Sequence, residues 1–259
     1  MGHVVFISAG PGAADLITVR GACRLAEAQV VLFDALTDPT LRELAPHALW
    51  VDVGKRGFCK STGQAAIDAL LVRCARDHER VVRLKGGDAS IFGRLEEELQ
   101  ALAAAGIACE VVPGVTAAIA AAAHTQRPLT RRGMGGQSGR SVSLTTAMTH
   151  KGQLQAGRHA DTEVFYMAGR QLGALGRGLL QAGWPAGTPV IVVSRAGWPD
   201  ALASDHSLAG LAGAALLHAG RPTVVTVGAG AATLAPFNPA TQLPAATVPT
   251  PAEVTRAAA

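Results

Sequence analysis

The residues that can do chemistry are concentrated at the ends of short apolar segments in the first half of the chain. The segment VVRLKGGD at 81–88 changes from a β-branched run to two glycines and Asp88. Glycines that follow a buried strand let the backbone adopt conformations closed to other residues and approach a ligand closely. Asp88 then places a carboxylate at the carboxyl end of the strand, where open α/β sheets bind ligands.

A second segment, VVPGVTA at 111–117, repeats this arrangement. Its apolar run ends in a Pro113-Gly114 turn, and Thr116 is in position to cap an alanine-rich helix. We expect the two strand ends to hold one small molecule between them.

A third glycine-containing loop, SAGPGAADLIT at 8–18, follows a strand and opens a helix as a dinucleotide fingerprint would. Pro11 has no N–H to donate to a pyrophosphate, and Asp15 would place a carboxylate beside the phosphates. These two residues disfavour a nicotinamide dinucleotide. The alternative is a tight turn that lets the helix pack on the sheet.

Apolar runs and turn residues predict an α/β protein in which short strands alternate with helices in a mostly parallel sheet. We predict an N-terminal α/β domain at 1–126, a linker or mobile loop at 127–140, a C-terminal α/β domain at 141–235 and a disordered tail at 236–259. Strands are expected at 3–8, 29–33, 49–53, 80–84, 107–112, 141–147, 163–168, 188–195 and 222–228, and helices near 14–27, 39–45, 64–77, 94–105, 170–182 and 207–218.

Composition excludes several classes of protein. The net charge of +4 and 4% aromatic residues do not suit nucleic acid binding, but they suit a small polyanionic substrate. The four cysteines form no CxxC pair and the histidines no HxxxH pattern, so we expect no metal. No apolar run is long enough for a membrane span, and no charged segment leads into a signal core at the N-terminus. We therefore expect a cytoplasmic protein.

Taken together, the motifs resemble those of the tetrapyrrole methyltransferase family, the precorrin methylases of siroheme and cobalamin biosynthesis. The resemblance runs from about residue 3 to 230 and implies two α/β domains with a ligand cleft between them, in a homodimer. Within the family, the pattern is most similar to that of enzymes that methylate uroporphyrinogen III to precorrin-2, through precorrin-1, with S-adenosylmethionine. The matching motifs are SAGPGAADLITVRG, VVLFDALT, VDVGKR, VVRLKGGD with IFGR, VVPGVTAA and FYMAG.

The resemblance also implies roles for individual residues. Asp34 in FDALT and Lys55 in VGKR are the candidate proton acceptor and donor. Because uroporphyrinogen III carries eight carboxylates, its pocket is expected to be rich in basic residues, with Arg56, Lys85, Arg94, Arg131 and Arg132 as candidates. The residues implied to line the pocket of S-adenosylmethionine are Pro11, Gly86, Gly87, Asp88, Ile91, Thr116, Ala117, Met167 and Ala196.

The chain departs from the family pattern on the tetrapyrrole side. Two alternatives therefore stay open: a methyltransferase acting on a later intermediate such as precorrin-4, and a tetrapyrrole-binding homologue without catalysis. A nicotinamide oxidoreductase is a more distant third. The departures are Ala35, Lys60, Ala89, Ser90, Leu95, Glu96, Ala201 and Leu202.

Overall fold

The computed structural model describes residues 2–54, 63–132, 138–147 and 154–234. These residues form two compact units that divide after Thr116. Each unit is built around its own β-sheet, which confirms the predicted α/β class. None of the helices in the described part of the chain has the length and hydropathy needed to span a membrane.

The first unit is a parallel five-stranded sheet in the order β3-β2-β4-β1-β5. Its strands are β1 (His3–Ser8), β2 (Val30–Phe33), β3 (Leu49–Asp52), β4 (Arg80–Lys85) and β5 (Cys109–Val112). Helices α1 (Val19–Ala26), α2 (Gln64–Asp77) and α3 (Leu95–Ala104) connect them, with 3-10 helices at Ala14–Leu16 and Pro39–Leu44.

Both faces of this sheet are buried, because alternate strand residues enter two separate cores. Val5, Ile7 and Val82 pack with α1 on one face, and Val4, Phe6 and Val81 pack with α2 on the other. Strands that are buried on both faces read as near-continuous apolar runs, and the runs VVFI and VV allowed β1 and β4 to be located from the sequence to within one residue.

The second unit has a mixed sheet in the order β11-β10-β12-β9-β8. Only β8 and β9 pair in parallel in this sheet, and the other neighbours are antiparallel. Its elements are α4 (Ala117–His124), β6 (Arg131–Arg132), β7 (Ser138–Gly139), β8 (Val142–Thr146), β9 (Thr162–Tyr166), α5 (Leu172–Gln181), β10 (Pro189–Ser194), β11 (Leu202–Ser207) and β12 (Thr223–Gly228), with 3-10 helices at Leu208–Ala214 and Ala229–Ala231.

The structure differs from the sequence-based assignment at several points. The helix predicted at 14–27 is divided, because Thr18 caps a new helix by accepting a hydrogen bond from the Gly21 N–H. Strand β11 was not predicted. Helix α4 belongs to the second unit, where it packs near β12, although it was placed in the first domain. Within the predicted linker, β6 and β7 pair antiparallel. The predicted tail at 236–259 lies outside the described residues.

Candidate functional site

The loops after β4, β1 and β5 meet at the carboxyl edge of the first sheet, because these three strands are neighbours. Gly10 and Gly87 exchange two backbone hydrogen bonds, of 3.2 and 2.7 Å. Both have positive φ, +81° and +72°, a conformation that favours glycine. A Cβ on Gly87 would meet no atom within 4 Å, so the backbone here borders open space. This is the geometry that a closely approaching ligand requires.

Asp88 ties two of these loops together. Its Oδ2 accepts a hydrogen bond from the Gly114 N–H at 2.8 Å, and its Oδ1 accepts from the Ser90 N–H at 2.8 Å and from the Ser90 hydroxyl. Partial burial favours the neutral carboxyl, but these hydrogen bonds outweigh it and lower the pKa of Asp88. The carboxylate therefore positions the edge in addition to any contact with a ligand.

The β5 loop approaches the end of β1 so closely that it needs a glycine. A Cβ on Gly114 would lie 2.5 Å from the Cβ of Ser8. The Ser8 hydroxyl in turn accepts a hydrogen bond from the Ala89 N–H at 3.0 Å. Pro11 and Ile91 lie half-buried in the loops of the same edge. Six of the residues predicted to bind the methyl donor thus lie at one edge of the first unit: Pro11, Gly86, Gly87, Asp88, Ile91 and Thr116.

The other three residues predicted to bind the methyl donor lie in the second unit. Ala117 begins α4, and the N–H of the next residue, Ala118, donates to the Tyr166 hydroxyl at 3.2 Å. Met167 directly follows Tyr166, with φ +57° and a side chain that is 58% exposed. Ala196 is buried after β10, whose carboxyl end lies at the same edge of the second sheet as that of β9.

Asp34, the predicted proton acceptor, follows β2 and is held by an arginine. Its Oδ1 accepts a hydrogen bond from Arg83 Nη2 at 2.7 Å. Arg83 also donates to Glu98 Oε1 at 3.0 Å, and Lys85 Nζ lies 2.7 Å from Glu98 Oε2. The side chains of Arg83, Lys85 and Glu98 are at most 3% exposed, whereas that of Asp34 is 30% exposed. Asp34 is therefore the partly exposed end of a buried charge network.

The electrostatics of the network follow from its burial. Burial opposes the charge on Arg83, but Asp34 and Glu98 raise the pKa of its guanidinium. Burial, together with the positive charge of Arg83, lowers the pKa of Lys85, although Glu98 acts in the opposite direction. A buried pair of this kind is costly to break, since the remaining charge has no water to solvate it. The network therefore holds Asp34 in place.

The network corrects one substrate-binding prediction. Lys85 was expected to meet a substrate carboxylate, but its ammonium group is buried against Glu98 and faces no solvent. Strand β4 is covered on both faces, so its charged side chains must pair inside the unit. Arg94, another substrate-binding candidate, is exposed and is ion-paired with Glu97 at 2.6 Å. Lys55 and Arg56 lie outside the described residues.

Arg131 and Arg132 line a pocket of about 460 Å³ in the second unit, together with Thr130, Gly139 and Arg140. Arg131 Nη2 donates to the Ala232 carbonyl, whereas its Nε is buried without a hydrogen-bond partner among the described residues. Arg140 was not singled out from the sequence. Three arginines around one pocket make it attractive to an anion.

One feature of the site, the buried charge network, was missed in the sequence although a signal existed. Arg83 and Lys85 stand two residues apart in an otherwise apolar strand, and Glu98 lies in a helix that follows it. Charges inside a strand that is buried on both faces require partners, so this pattern could have indicated an internal network.

In the described part of the chain, no group of three or more His, Cys, Asp or Glu side chains is arranged to hold a metal ion.

Comparisons with known proteins converge on one family. Residues 3–212 match the model of the tetrapyrrole (corrin/porphyrin) methylases. The chain is 42% identical over 199 residues to the uroporphyrinogen-III C-methyltransferase of Pseudomonas aeruginosa, covering 75% of this chain and 80% of that protein. It is 39% identical over 205 residues to the siroheme synthase of Psychrobacter sp., covering 77% of this chain but only 41% of that longer protein.

Solved structures give the same picture. The uroporphyrin-III C-methyltransferase of Thermus thermophilus, complexed with S-adenosylhomocysteine, matches with a TM-score of 0.74 and 32% identity, over 88% of this chain and 97% of that one. A cobalt precorrin-4 methyltransferase matches with a TM-score of 0.76 and 26% identity, over 89% of this chain and 96% of that one.

Proposed function

The chain belongs to the tetrapyrrole (corrin/porphyrin) methylase family, and from this premise we propose that it methylates uroporphyrinogen III at two ring carbons, with S-adenosylmethionine as methyl donor. The product is precorrin-2, formed through precorrin-1, which serves siroheme or cobalamin biosynthesis. The observation that carries the proposal is the carboxyl edge of the first sheet, where Gly87, paired with Gly10 and followed by Asp88, borders open space beside a strand end.

This edge suits S-adenosylmethionine better than a dinucleotide. The methyl donor has no phosphate, so the missing N–H of Pro11 is no disadvantage. The open space beside Gly87 admits a ligand against the backbone, and the lowered pKa of Asp88 keeps a negative charge near a cationic donor. Met167, Ala117 and Ala196 are proposed as the contacts from the second unit, where Met167 offers an exposed thioether for apolar contact.

In the reaction, an electron-rich ring carbon of the substrate attacks the methyl group of the donor. A carbon–carbon bond forms, the bond between carbon and sulfur breaks, and S-adenosylhomocysteine leaves. The substrate then loses a proton, for which Asp34 is the proposed acceptor. Arg83 holds one carboxylate oxygen of Asp34, and the other oxygen, Oδ2, makes no hydrogen bond to the described residues. Lys55 remains the proposed proton donor.

The basic residues proposed to bind substrate carboxylates are Arg131 and Arg132, with Arg56 and Arg94 as further candidates. The pocket that Arg131 and Arg132 share with Arg140 supports this role, because several charge-assisted hydrogen bonds in one place suit a polyanion. Within this one pocket, Arg131, Arg132 and Arg140 can each meet a carboxylate of a substrate that carries eight of them.

The test is an incubation of the protein with S-adenosylmethionine and uroporphyrinogen III under anaerobic conditions, followed by mass spectrometry of the product. We expect a gain of two methyl groups and formation of S-adenosylhomocysteine. Methylation of a later precorrin instead would indicate the precorrin-4 type of activity, and binding without turnover would indicate a non-catalytic homologue. Each of these outcomes contradicts the proposal.

We propose further that the protein is a cytoplasmic homodimer. Val142 and Leu144, on the edge strand β8, are each 37% exposed, and exposed apolar residues on a sheet edge favour association. Cys74 and Cys109 are free thiols, in keeping with a reducing compartment. Light scattering should give the mass of two chains, and cell fractionation should recover the protein with cytoplasmic markers. A monomer, or recovery with the membrane, would refute the corresponding part.

A further inference from the structure

A second feature of the first unit is a pocket of about 330 Å³ next to Asp34. Asp34 lies on its wall, at the carboxyl ends of β2 and β3. Arg42, in the 3-10 helix Pro39–Leu44, is the one basic residue among the described residues that line it. The lining consists of Phe33, Asp34, Ala35, Thr37, Asp38, Pro39, Arg42, Trp50 and Asp52.

Arg42 is held against an aromatic wall of this pocket. Its guanidinium carbon lies 5.0 Å from the ring centroid of Phe33 and 5.6 Å from that of Trp50. The two rings pack edge to face with centroids 5.7 Å apart, and Trp50 Nε1 donates to the Ala45 carbonyl at 3.0 Å. Cation–π contact with these two rings keeps the guanidinium beside the aromatic side of the pocket.

The acidic residues of the pocket are engaged locally. Asp38 accepts from the Thr40 N–H at 2.9 Å with one oxygen and from the Ala14 N–H at 3.2 Å with the other. Asp52 Oδ1 accepts from the Gly54 N–H at 2.9 Å, and Asp34 Oδ1 is held by Arg83.

The guanidinium of Arg42, by contrast, is exposed and makes no ion pair with the part of the chain that the structure describes. A guanidinium carries five N–H donors in a planar fork that fits a carboxylate. Its hydrogen bonding capacity therefore remains available to a ligand.

We propose that Arg42 binds a carboxylate of the substrate and seats one pyrrole ring in this pocket, beside Asp34. The inference rests on the proposed function and assigns a substrate-binding residue to it. Phe33 and Trp50 give the pocket an apolar aromatic wall, against which a pyrrole ring can pack. The carboxylates of the pocket would repel an acidic ring substituent, so Arg42 provides the single attractive contact for one on this wall.

The test compares Arg42→Gln and Arg42→Lys with Arg76→Gln, which removes an equal charge from the exposed last turn of α2. Arg42→Gln should raise the KM for uroporphyrinogen III about tenfold, the usual effect of losing one charge-assisted hydrogen bond. Arg42→Lys should raise it less, because an ammonium keeps the charge but loses the fork. The kcat and the affinity for S-adenosylmethionine should stay within about twofold, because Arg42 touches neither the donor nor the reacting carbon.

The same variants are titrated with uroporphyrin III, the stable oxidised octacarboxylate, by fluorescence. The inference is overturned if Arg42→Gln matches Arg76→Gln in KM and in affinity for uroporphyrin III, or if wild type does not bind this compound. If wild type binds uroporphyrin III but forms no methylated product, the proposed function fails. A loss of binding confined to the Arg42 variants would still support the binding role.

Discussion

Each unit contains a buried polar network, and the two networks differ in charge. In the first unit Arg83, Glu98 and Lys85 form a continuous ion-paired network that ends at the partly exposed Asp34. In the second unit the network around His218 is uncharged, although that unit also buries Arg127 and Glu163 elsewhere. His218, which is fully buried, bridges the Ser194 hydroxyl at 2.6 Å and the Ser204 hydroxyl at 2.8 Å.

The two networks also differ in what they contribute to the protein. A buried ion pair is seldom more stabilising than an apolar core of the same volume, so its presence calls for another explanation. The charged network runs to the pocket where we place proton transfer, whereas the neutral one connects β10 and β11 with the segment before β12. We infer that the first network positions the carboxylate that we propose as proton acceptor, and that the second network joins strands.

The strongest test of the charged network removes its central member. Glu98→Gln leaves Lys85 buried without a counter-charge and Arg83 with Asp34 as its only ion-pair partner among the described residues, and the free energy of unfolding should fall by about 3–5 kcal/mol. Urea denaturation at pH 7 measures this. Glu97→Gln is the matched control, because its ion pair with Arg94 is about half exposed and should contribute at most about 1 kcal/mol. If both substitutions lowered the free energy of unfolding equally, the buried charges of Arg83 and Lys85 would not need Glu98 as a counter-charge.

The neutral network should reveal itself through pH. Burial, with His206 and Arg221 nearby, lowers the pKa of His218 to about 4, from 6.5. Between these two values the unfolded chain binds a proton that the folded chain does not. His218 therefore stabilises the fold fully above pH 6.5, and about 3 kcal/mol of stability is lost as pH falls to 4.

Thermal unfolding from pH 7 to 4.5 tests this, with His218→Gln expected to have a shallower pH dependence than wild type. His47→Gln, at an exposed position of the first unit, serves as the control and should leave the slope unchanged. If wild type and His218→Gln respond alike, His218 is not the group that titrates.

Asp34→Asn tests whether the residue at the end of the charged network accepts a proton in the reaction. The amide keeps an oxygen for Arg83, so the fold should persist, while the loss of the proton acceptor should lower kcat by at least about a hundredfold. Affinity for S-adenosylmethionine should be unchanged. Asp38→Asn, on the wall of the same pocket, is the control, since asparagine also caps the helix that begins there. Unaltered turnover of Asp34→Asn across pH would assign Asp34 a purely structural role.

The smallest expected effect concerns the surface charge of the second unit. Changing both Arg131 and Arg132 to Glu should raise the KM for uroporphyrinogen III about tenfold at low salt, and the effect should shrink as ionic strength approaches 0.1 M, where the Debye length is ~10 Å. Donor affinity should not change. Arg170→Glu combined with Arg177→Glu alters the net charge equally and should have little effect. A similar rise of KM in both double variants would indicate long-range attraction only.

The sequence predicted the first unit better than the second, for physical reasons. Strand β1 contains the apolar run VVFI and strand β4 contains Val81 and Val82, and near-continuous apolar runs are the pattern of a parallel strand buried on both faces. Strand β11 reads LASDHS, without an apolar run, and exists because it pairs with all six residues of β10. Such pairing between distant segments is not encoded in local composition.

The sequence indicated which residues lie at the site, but not which side chains contact each other there. The glycines and Asp88 were found because turn residues after a strand carry a local signal. The buried partners of Lys85 and the aromatic support of Arg42 depend on which side chains the sheet order brings together, and the sequence pattern does not contain that order. The role of Asp88 as a tie to Gly114 was hidden for the same reason.

The central claim is that the carboxyl edge of the first sheet binds S-adenosylmethionine. Isothermal titration calorimetry of the wild-type protein tests it most directly, with NAD and NADP as comparison ligands and Gly87→Val as the variant. We predict binding of S-adenosylmethionine and S-adenosylhomocysteine, no binding of either dinucleotide, and loss of donor binding in a folded Gly87→Val protein, because a β-branched residue is strained at φ +72° and occupies the open space. Dinucleotide binding without donor binding, or full donor affinity in folded Gly87→Val, would contradict the account.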